Sequence, residues 1–209
     1  QALPATNDAS ASTTTSPAPL TFVTQEARTA LFGAAKDQAN QAAVVTGQVP
    51  TWLQGDMIVN GGGDYQGMVH LFDGLALLSK AHIEGGKVDV SQQYIRSEQY
   101  RHVAATGKMK WREFGTPLPA DSALEKGIQV LTNLLDLAAN KGFTDNASVN
   151  VVPLADGTLM AISETPSAAY RMDTHHLRTL APIKLNDGIP GQLITAHPKL
   201  MRDGGTLVN

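Results

Sequence analysis

Short apolar or alternating segments recur along most of this chain, and turn signals separate them. Asp73-Gly74, Gly85-Gly86 and Asp156-Gly157 are examples of those signals. Short strands divided by such turns are typical of antiparallel meanders. We therefore predict an all-β fold, and a sandwich, a barrel or a propeller would each fit the spacing. The predicted strands cover Met57–Val59, Met68–Phe72, Leu75–Ile83, Val88–Ile95, Lys108–Phe114, Val149–Leu154, Thr158–Ser163 and Tyr170–Met172.

One amphipathic helix is predicted to interrupt the β pattern, between residues 122 and 141. Ser122 and Glu125 have the spacing of a capping box, and Gly142 stands where a left-handed cap is favoured. A stripe of this kind usually packs on a sheet, and the alternative is that it rests on a membrane. Its two basic residues would attract anionic lipid only weakly. The stripe consists of Leu124, Ile128, Leu131, Leu135 and Ala138.

Two segments precede the β region. Eleven of the first sixteen residues are Ala, Ser or Thr, so this stretch buries too little apolar surface to offset its ordering entropy. We predict a disordered tail over residues 1–20, a composition that is also typical of a chloroplast transit-peptide remnant. Residues 21–46 are predicted to be helical, because they are rich in alanine and are followed by Gly47 and Pro50. The β domain is predicted to cover residues 47–209.

Composition excludes several classes of function. The 16 basic and 19 acidic residues give a net charge of −3, which offers no electrostatic reason to expect a nucleic-acid partner. The absence of cysteine excludes disulfides, thiolate metal ligands and thiol catalysis. No apolar run reaches about 18 residues, so no helix is expected to cross a membrane. Motifs of phosphate loops, nucleophile elbows and zinc peptidases are absent.

A series of short sequence motifs, or phrases, resembles those of a known family. They are Trp52-Leu53-Gln54-Gly55 with Asn60-Gly61-Gly62-Gly63, His70-Leu71-Phe72-Asp73-Gly74, Thr144-Asp145-Asn146-Ala147, Ser163-Glu164-Thr165 and Thr195-Ala196-His197-Pro198. In this order they resemble the carotenoid cleavage oxygenase family, and the chain resembles the N-terminal portion of its members. Together with Trp111-Arg112-Glu113-Phe114, the phrases look most like the plant branch that forms carlactone.

The resemblance implies a fold, a cofactor and a reaction. The fold would be the N-terminal part of a seven-bladed β-propeller with the helix inserted. Four histidines of the family hold Fe²⁺, and His197 matches the first of them. Glu164 matches a residue that accepts a hydrogen bond from a ligating histidine and so orients its ring. The implied reaction is O2-dependent cleavage of a conjugated double bond of a carotenoid or apocarotenoid, and no further catalytic or cofactor-binding residue is predicted.

The other five histidines are not predicted to bind metal. His70 matches a family position that is structural. His82 is placed on a mixed, solvated strand face and His102 in a polar turn. His175 and His176 are adjacent, and neighbouring side chains of a strand point to opposite faces.

Two family phrases also give local expectations. Asn60-Gly61-Gly62-Gly63 is predicted to form a tight turn, although Val59 and Gly62 replace the Arg and the Pro of the family phrase. His70–Gly74 is predicted to be a strand followed by a turn, in which Asp73 bonds to local backbone.

Since only one iron ligand can be placed, we expect an incomplete chain that is inactive by itself. The alternative is a non-catalytic propeller fragment or degenerate homologue that binds an apolar ligand or a membrane. Expected partners are the carotenoid or apocarotenoid substrate and O2, with peripheral membrane contact through the 122–141 helix and without nucleic acid. A plastid location is expected from the tail, with the cytoplasm as the alternative.

Overall fold

A computed structural model of the protein describes most of the chain. The described residues are 25–118, 120, 122–125, 127–128, 130–131, 144–184, 194–201 and 206–208. The predicted tail over residues 1–20 lies outside them.

The first sheet has four antiparallel strands: β1 (Gln38–Ala42), β2 (Gly55–Asp64), β3 (Leu75–Glu84) and β4 (Lys87–Tyr94). Their order across the sheet is β1-β4-β3-β2. β3 and β4 form a hairpin whose two turn residues, Gly85 and Gly86, both have positive φ, the conformation that a two-residue hairpin requires. This sheet confirms the strands predicted at Leu75–Ile83 and Val88–Ile95.

The second sheet is a simple meander of four strands: β5 (Asn150–Pro153), β6 (Leu159–Ile162), β7 (Ala169–Met172) and β8 (Thr179–Pro182). The β5–β6 turn contains Asp156, whose carboxylate accepts from the main-chain N–H and the hydroxyl of Thr158. Three of these strands were predicted, whereas β8 was missed because it is short and mostly exposed. A third, two-stranded sheet pairs β9 (Lys199–Leu200) with β10 (Leu207–Val208).

The sheets stack face to face around shared apolar cores. Ile58, Ala76 and Leu78 of the first sheet pack with residues of the second sheet that include Tyr170 and Met172. A second core joins Met160 and Ile162 of the second sheet to flanking residues that include Ile194 and Leu207. The prediction of a mostly β protein with few helices is confirmed.

A buried lysine also links the first two sheets. The Lys80 ammonium donates to the carbonyl oxygens of Thr174 and His175, at 2.9 and 2.7 Å, and these two residues lie in the turn between β7 and β8. The residue is only 7% exposed, so the two carbonyl oxygens replace solvent around its charge. The β7–β8 turn is thereby fixed against β3.

The helix α2 (Glu98–Thr106) was not predicted. The helix buries only Gln99 and Val103. The rest of it is exposed or half-buried, and its sequence is accordingly mostly polar. Two signals did mark its ends: Ser97 caps the N-terminus, and Gly107 adopts the left-handed conformation after the last turn. His102 therefore lies on a helix, and its placement in a polar turn was wrong.

The predicted N-terminal helix is found only in part. The helix α1 covers Gln25–Leu31, whereas β1 extends the first sheet beyond β4. Pairing with β4 therefore overrides the weak helical preference of the alanine-rich segment. The division of the chain at residues 20 and 46 remains a prediction.

The Asn60–Gly63 phrase is part of β2, so the predicted turn was wrong. Its glycines permit close packing rather than a turn. A Cβ on Gly62 would lie 2.9 Å from the Gly74 Cα, and one on Gly63 would lie 2.7 Å from the Leu77 Cβ. Neither Met68–Phe72 nor Lys108–Phe114 is a strand either, because the first segment contains turns and a bend and the second contains bends.

The predicted capping box is present. The Ser122 hydroxyl accepts from the Glu125 N–H, and the Glu125 carboxylate accepts from the Ser122 N–H, both at 3.1 Å. Residues 123–125, 127–128 and 130–131 are helical, and the predicted remainder from 132 to 142 lies outside the described residues. The described apolar residues of the stripe do not pack on a sheet, since Leu124 and Ile128 are 73% and 55% exposed.

Within the described residues, no helix combines the length and apolar content needed to cross a bilayer.

Candidate functional site

The Thr195–Pro198 phrase leads from the second sheet into β9. Ala196 is buried at 1% exposure, while the neighbouring His197 is exposed. The His197 N–H donates to the Thr195 hydroxyl at 3.1 Å. The Asn150 side chain, at the start of β5, donates to the Ala196 carbonyl at 2.9 Å. The backbone around His197 is thus held by β5, and its imidazole projects from this loop.

Glu164 lies in the turn between β6 and β7 and is exposed. The Ser163 hydroxyl donates to its carboxylate at 2.9 Å. Its carbonyl oxygen accepts from the Ile194 N–H at 2.8 Å, so the Ser163–Thr165 turn lies beside the loop that carries His197. Within the part of the chain that the structure describes, no hydrogen bond joins the Glu164 carboxylate to His197.

The His197 side chain is chemically suited to be one ligand of an iron site. Imidazole nitrogen is a suitable ligand for ferrous iron, and the exposed ring of His197 leaves room for further ligands. Among the described residues, no three His, Asp or Glu side chains are grouped so that they could hold a metal ion.

The other histidines lie apart and have other partners. His70 is half-buried, its Nδ1 accepts from the Phe72 N–H at 3.2 Å, and its ring packs edge-on against Phe72 and Phe114. His82 lies 2.6 Å from the Asp56 carboxylate, and this hydrogen bond raises the pKa of its imidazole. His175 and His176 occupy the β7–β8 turn.

Three family phrases meet in a buried polar network that sequence reasoning did not predict. We call it the polar hub, defined as the buried side chains Asp73, Gln99, Glu113, Thr116, Thr144, Asp145 and Asn146. It joins the segment before β3, the helix α2, the loop after α2 and the segment before β5. The sequence signal for this hub was the phrases themselves, which place polar residues beside apolar strands. Their hydrogen-bond partners lie far away in the chain, so the sequence alone did not reveal the hub.

Asp73 contributes a long-range contact to the hub. Its carboxylate accepts from the Gly115 N–H at 2.9 Å and from the Thr116 hydroxyl. The expectation that Asp73 bonds to nearby backbone was therefore wrong. The predicted strand in this phrase was also wrong, because residues 70–74 form turns and bends that lead into β3.

Asn146 and Asp145 contribute to the hub in different ways, because the Asn146 amide both accepts and donates hydrogen bonds whereas the Asp145 carboxylate accepts them. The Asn146 amide accepts from the Ala76 N–H at 2.8 Å and donates to the Gly74 carbonyl at 2.9 Å. The Asp145 carboxylate accepts from the Glu98 and Gln99 N–H groups at 2.6 and 3.0 Å. The first residue ties its segment to β3, and the second ties it to the N-terminus of α2.

Glu113 is the ionisable residue at the centre of the hub. One of its carboxyl oxygens accepts from the Thr144 hydroxyl at 2.7 Å and from the Gln99 amide at 2.9 Å. Burial is the main cause that raises its pKa to about 8; the hydrogen bonds from Thr144 and Gln99 oppose this rise, and the charges of Asp73 and Asp145 add to it by smaller amounts. Glu113 therefore keeps a proton up to neutral pH.

Comparison with known families and proteins identifies relatives of this fold. The family model described as retinal pigment epithelial membrane protein matches residues 32–209. The chloroplastic carotenoid cleavage dioxygenase 8 homolog B of Oryza sativa subsp. japonica is 34% identical over 162 residues, which are 75% of this chain and 28% of that protein. The beta,beta-carotene 15,15'-dioxygenase of Homo sapiens is 31% identical over 172 residues, which are 79% and 30% of the two chains.

A solved structure supports the fold. Cobalt-substituted apocarotenoid oxygenase from Synechocystis has a TM-score of 0.68 and 24% identity, and the match covers 86% of this chain and 37% of that one. The chain thus spans less than a third of the two curated relatives named above.

Proposed function

This chain belongs to the carotenoid cleavage oxygenase family, and we propose that it is part of a non-heme iron(II) dioxygenase. The proposed enzyme cleaves a conjugated double bond of a carotenoid or apocarotenoid with O2. The family match over residues 32–209 supports the proposal. So do the relatives, which are named dioxygenases acting on carotenoids, and the solved neighbour whose title names a substituted metal.

The observation that carries the proposal is the meeting of two family phrases in space. The bond from the Ile194 N–H to the Glu164 carbonyl places the Ser163–Thr165 turn beside the His197 loop. In the family, one of these phrases bears a metal ligand and the other bears the acceptor of a hydrogen bond from another ligating histidine. They lie 33 positions apart in the chain (197 − 164), so only the fold brings them together.

Each residue has a defined task in the proposed site. His197 would bind the iron through a ring nitrogen, and the iron when bound would supply the site at which dioxygen is activated. Glu164 would accept a hydrogen bond from the outer nitrogen of a ligating histidine, which fixes the tautomer and the direction of that ring. The buried Ala196 would anchor the loop from which the exposed His197 projects.

The proposed fold of the complete protein is a seven-bladed β-propeller. Each four-stranded antiparallel sheet has the number of strands of one propeller blade. The β9–β10 pair packs on the second sheet and would begin a third blade. A plastid location is proposed in line with the chloroplastic plant relatives. Peripheral membrane contact through the exposed stripe that begins at Leu124 is also proposed.

The test of the iron site is a substitution in the natural full-length protein. His197→Ala is expected to reduce bound ferrous iron and O2-dependent cleavage of an apocarotenoid to background, because a ligand is lost. His176→Ala is the matched control, since this exposed histidine lies in a turn away from the loop, and it should change neither quantity. Full iron content in the His197 variant would refute the ligand assignment.

The second candidate function is a non-catalytic protein that binds an apolar ligand or a membrane. It is favoured by one observation: the apolar side chains of Leu124 and Ile128 are 73% and 55% exposed, which suits contact with an apolar ligand or a membrane. Metal analysis separates the two candidates. One tightly held ferrous ion per chain in the natural protein supports the oxygenase, whereas retinoid or carotenoid binding without iron supports the alternative.

A further inference from the structure

A line of side-chain amides connects β2, β5 and the His197 loop. The Asn60 amide, on β2, donates to the carbonyl oxygens of Ala147 and Asn150 at 2.6 and 2.8 Å. The Asn150 amide donates in turn to the Ala196 carbonyl at 2.9 Å. These bonds run from the edge strand of the first sheet, through the edge strand of the second, to the residue before His197.

The direction of each amide is determined by its partners. The Asn60 nitrogen faces two carbonyl oxygens, so a reversed amide would place oxygen against oxygen. This orientation holds even though the Asn60 Oδ1 is buried without a hydrogen-bond partner in the described part of the protein. The Asn150 Oδ1 accepts from the Val151 N–H at 2.8 Å, which leaves its nitrogen to donate toward Ala196.

The Ala196 carbonyl belongs to a residue that is 1% exposed. A buried carbonyl without a partner is costly, because it gives up its hydrogen bonds to water. The Asn150 donor therefore stabilises the one backbone conformation in which Ala196 is buried and His197 is exposed. The Ile194 bond to Glu164 fixes the same loop from its other end.

We propose that Asn150 is a positioning residue for His197, and that Asn60 fixes the strand from which Asn150 acts. This inference rests on the proposed function, in which His197 is an iron ligand. A ligand whose backbone is fixed before the metal arrives loses less conformational freedom on binding, so the support of the loop contributes to metal affinity.

Amide hydrogen exchange of the 209-residue protein tests the mechanical part of the inference. Asn150→Ala is expected to accelerate exchange at residues 194–197 roughly tenfold, the effect of losing about one buried hydrogen bond. Exchange in the β3 core at residues 75–78 should be unchanged. Gln92→Ala is the matched control, because it removes the amide by which Gln92 on β4 donates to the Ser79 hydroxyl on β3, away from the loop. Equal acceleration of loop and core, or no more than in the control, would overturn the assignment.

Two further variants keep the test decisive. Asn150→Asp retains the acceptor for Val151 but loses the donor to Ala196, so it should reproduce the loop effect in a folded protein even where the alanine variant fails to fold. Asn60→Ala should accelerate exchange at both 149–152 and 194–197. Acceleration confined to 149–152 would remove Asn60 from the assignment.

Iron affinity of the natural full-length protein tests the link to His197. Asn150→Ala should weaken iron binding about tenfold, as for residues that orient metal ligands, whereas Gln92→Ala should not. A loosened loop with unchanged affinity would overturn the positioning role. Iron retained in His197→Ala refutes instead the assignment of His197 as an iron ligand, which belongs to the proposed function. Iron lost in His197→Ala but unaffected by Asn150→Ala refutes the positioning role alone.

Discussion

Glu113 is 8% exposed, and one oxygen of its carboxyl group accepts from both the Thr144 hydroxyl and the Gln99 amide. These two donors favour the charged form, but burial disfavours it more strongly, and Asp73 and Asp145 add negative charge nearby. A protonated Glu113 resolves the conflict, because a neutral carboxyl costs less to bury. At the scale of single residues, the protein thus uses a carboxylic acid where a neutral amide would also serve.

This protonation predicts a pH dependence of stability. The folded-state pKa of Glu113 is about 8, raised from 4.5, so the folded state binds more protons than the unfolded state between these values. Its contribution to stability is therefore complete at low pH and is lost as the pH rises toward 8. Glu113→Gln should abolish that loss. Urea unfolding at pH 5 and pH 8 measures the effect. The free energies of unfolding of the parent protein and the Glu113→Gln variant should be similar at pH 5, and the variant should be the more stable of the two at pH 8.

The control for this measurement is Glu26→Gln, which changes an exposed glutamate in the first turn of α1. It should leave the pH dependence of the parent protein in place. A Glu113 variant whose unfolding free energy falls with pH in parallel with the parent would show that Glu113 is not the titrating group.

At the scale of elements, α2 depends on a residue from outside the helix. Its N-terminal N–H groups have no partners within the helix, and Asp145 accepts two of them while the Ser97 hydroxyl accepts that of Tyr100. Asp145 also accepts the hydroxyl hydrogen of Tyr170 at 2.5 Å. The helix is thereby fixed to β7 and to the segment before β5, which explains how a mostly polar helix is stable here.

Asp145→Asn should lower the free energy of unfolding by about 2 kcal/mol, because an amide group supplies weaker acceptance, no charge at the helix N-terminus, and donors that face other donors. Chemical unfolding followed by circular dichroism measures the change.

Glu98→Gln is the matched control for α2. It removes another first-turn charge whose partner, Lys110, is exposed, and exposed ion pairs contribute at most about 1 kcal/mol. Equal effects of the two substitutions would contradict the capping role of Asp145.

At the scale of the whole molecule, the exposed apolar side chains form an uncovered surface on the 122–131 segment. Leu124, Ile128, Val130 and Leu131 are all more than half exposed. Exposed apolar side chains grouped on one segment are typical of an interaction surface. Because the segment carries few basic residues, its binding to a bilayer should come from apolar burial rather than from lipid charge.

The protein is therefore expected to co-sediment with phosphatidylcholine vesicles, with little dependence on salt. Leu124→Glu with Ile128→Glu should lower the partition coefficient at least about tenfold, since burying one such side chain contributes roughly 1.5–3 kcal/mol. Val44→Glu, at a fully exposed valine after β1, should have no effect. An unbound parent protein, or equal losses in both variants, would contradict membrane contact.

The sequence by itself determined the β class and the family. Alternation and Gly-containing turns predict β3 to β7, because strand period and hairpin turns are local properties. It also identified Ser122 and Glu125 as a capping box, which is a four-residue interaction. His197 and Glu164 were likewise found from their phrases, and their roles remain proposals.

Only the tertiary structure decided what depends on distant partners. Gln38–Ala42 becomes a strand because β4 offers an unpaired edge, and Asn60–Gly63 continues β2 because Gly74 and Leu77 approach its glycines. Asp73 reaches Gly115 rather than its own turn. The bond from Asn150 to the loop before His197 spans 46 residues. No local pattern encodes such contacts, since burial and pairing energies arise only when the sheets have stacked.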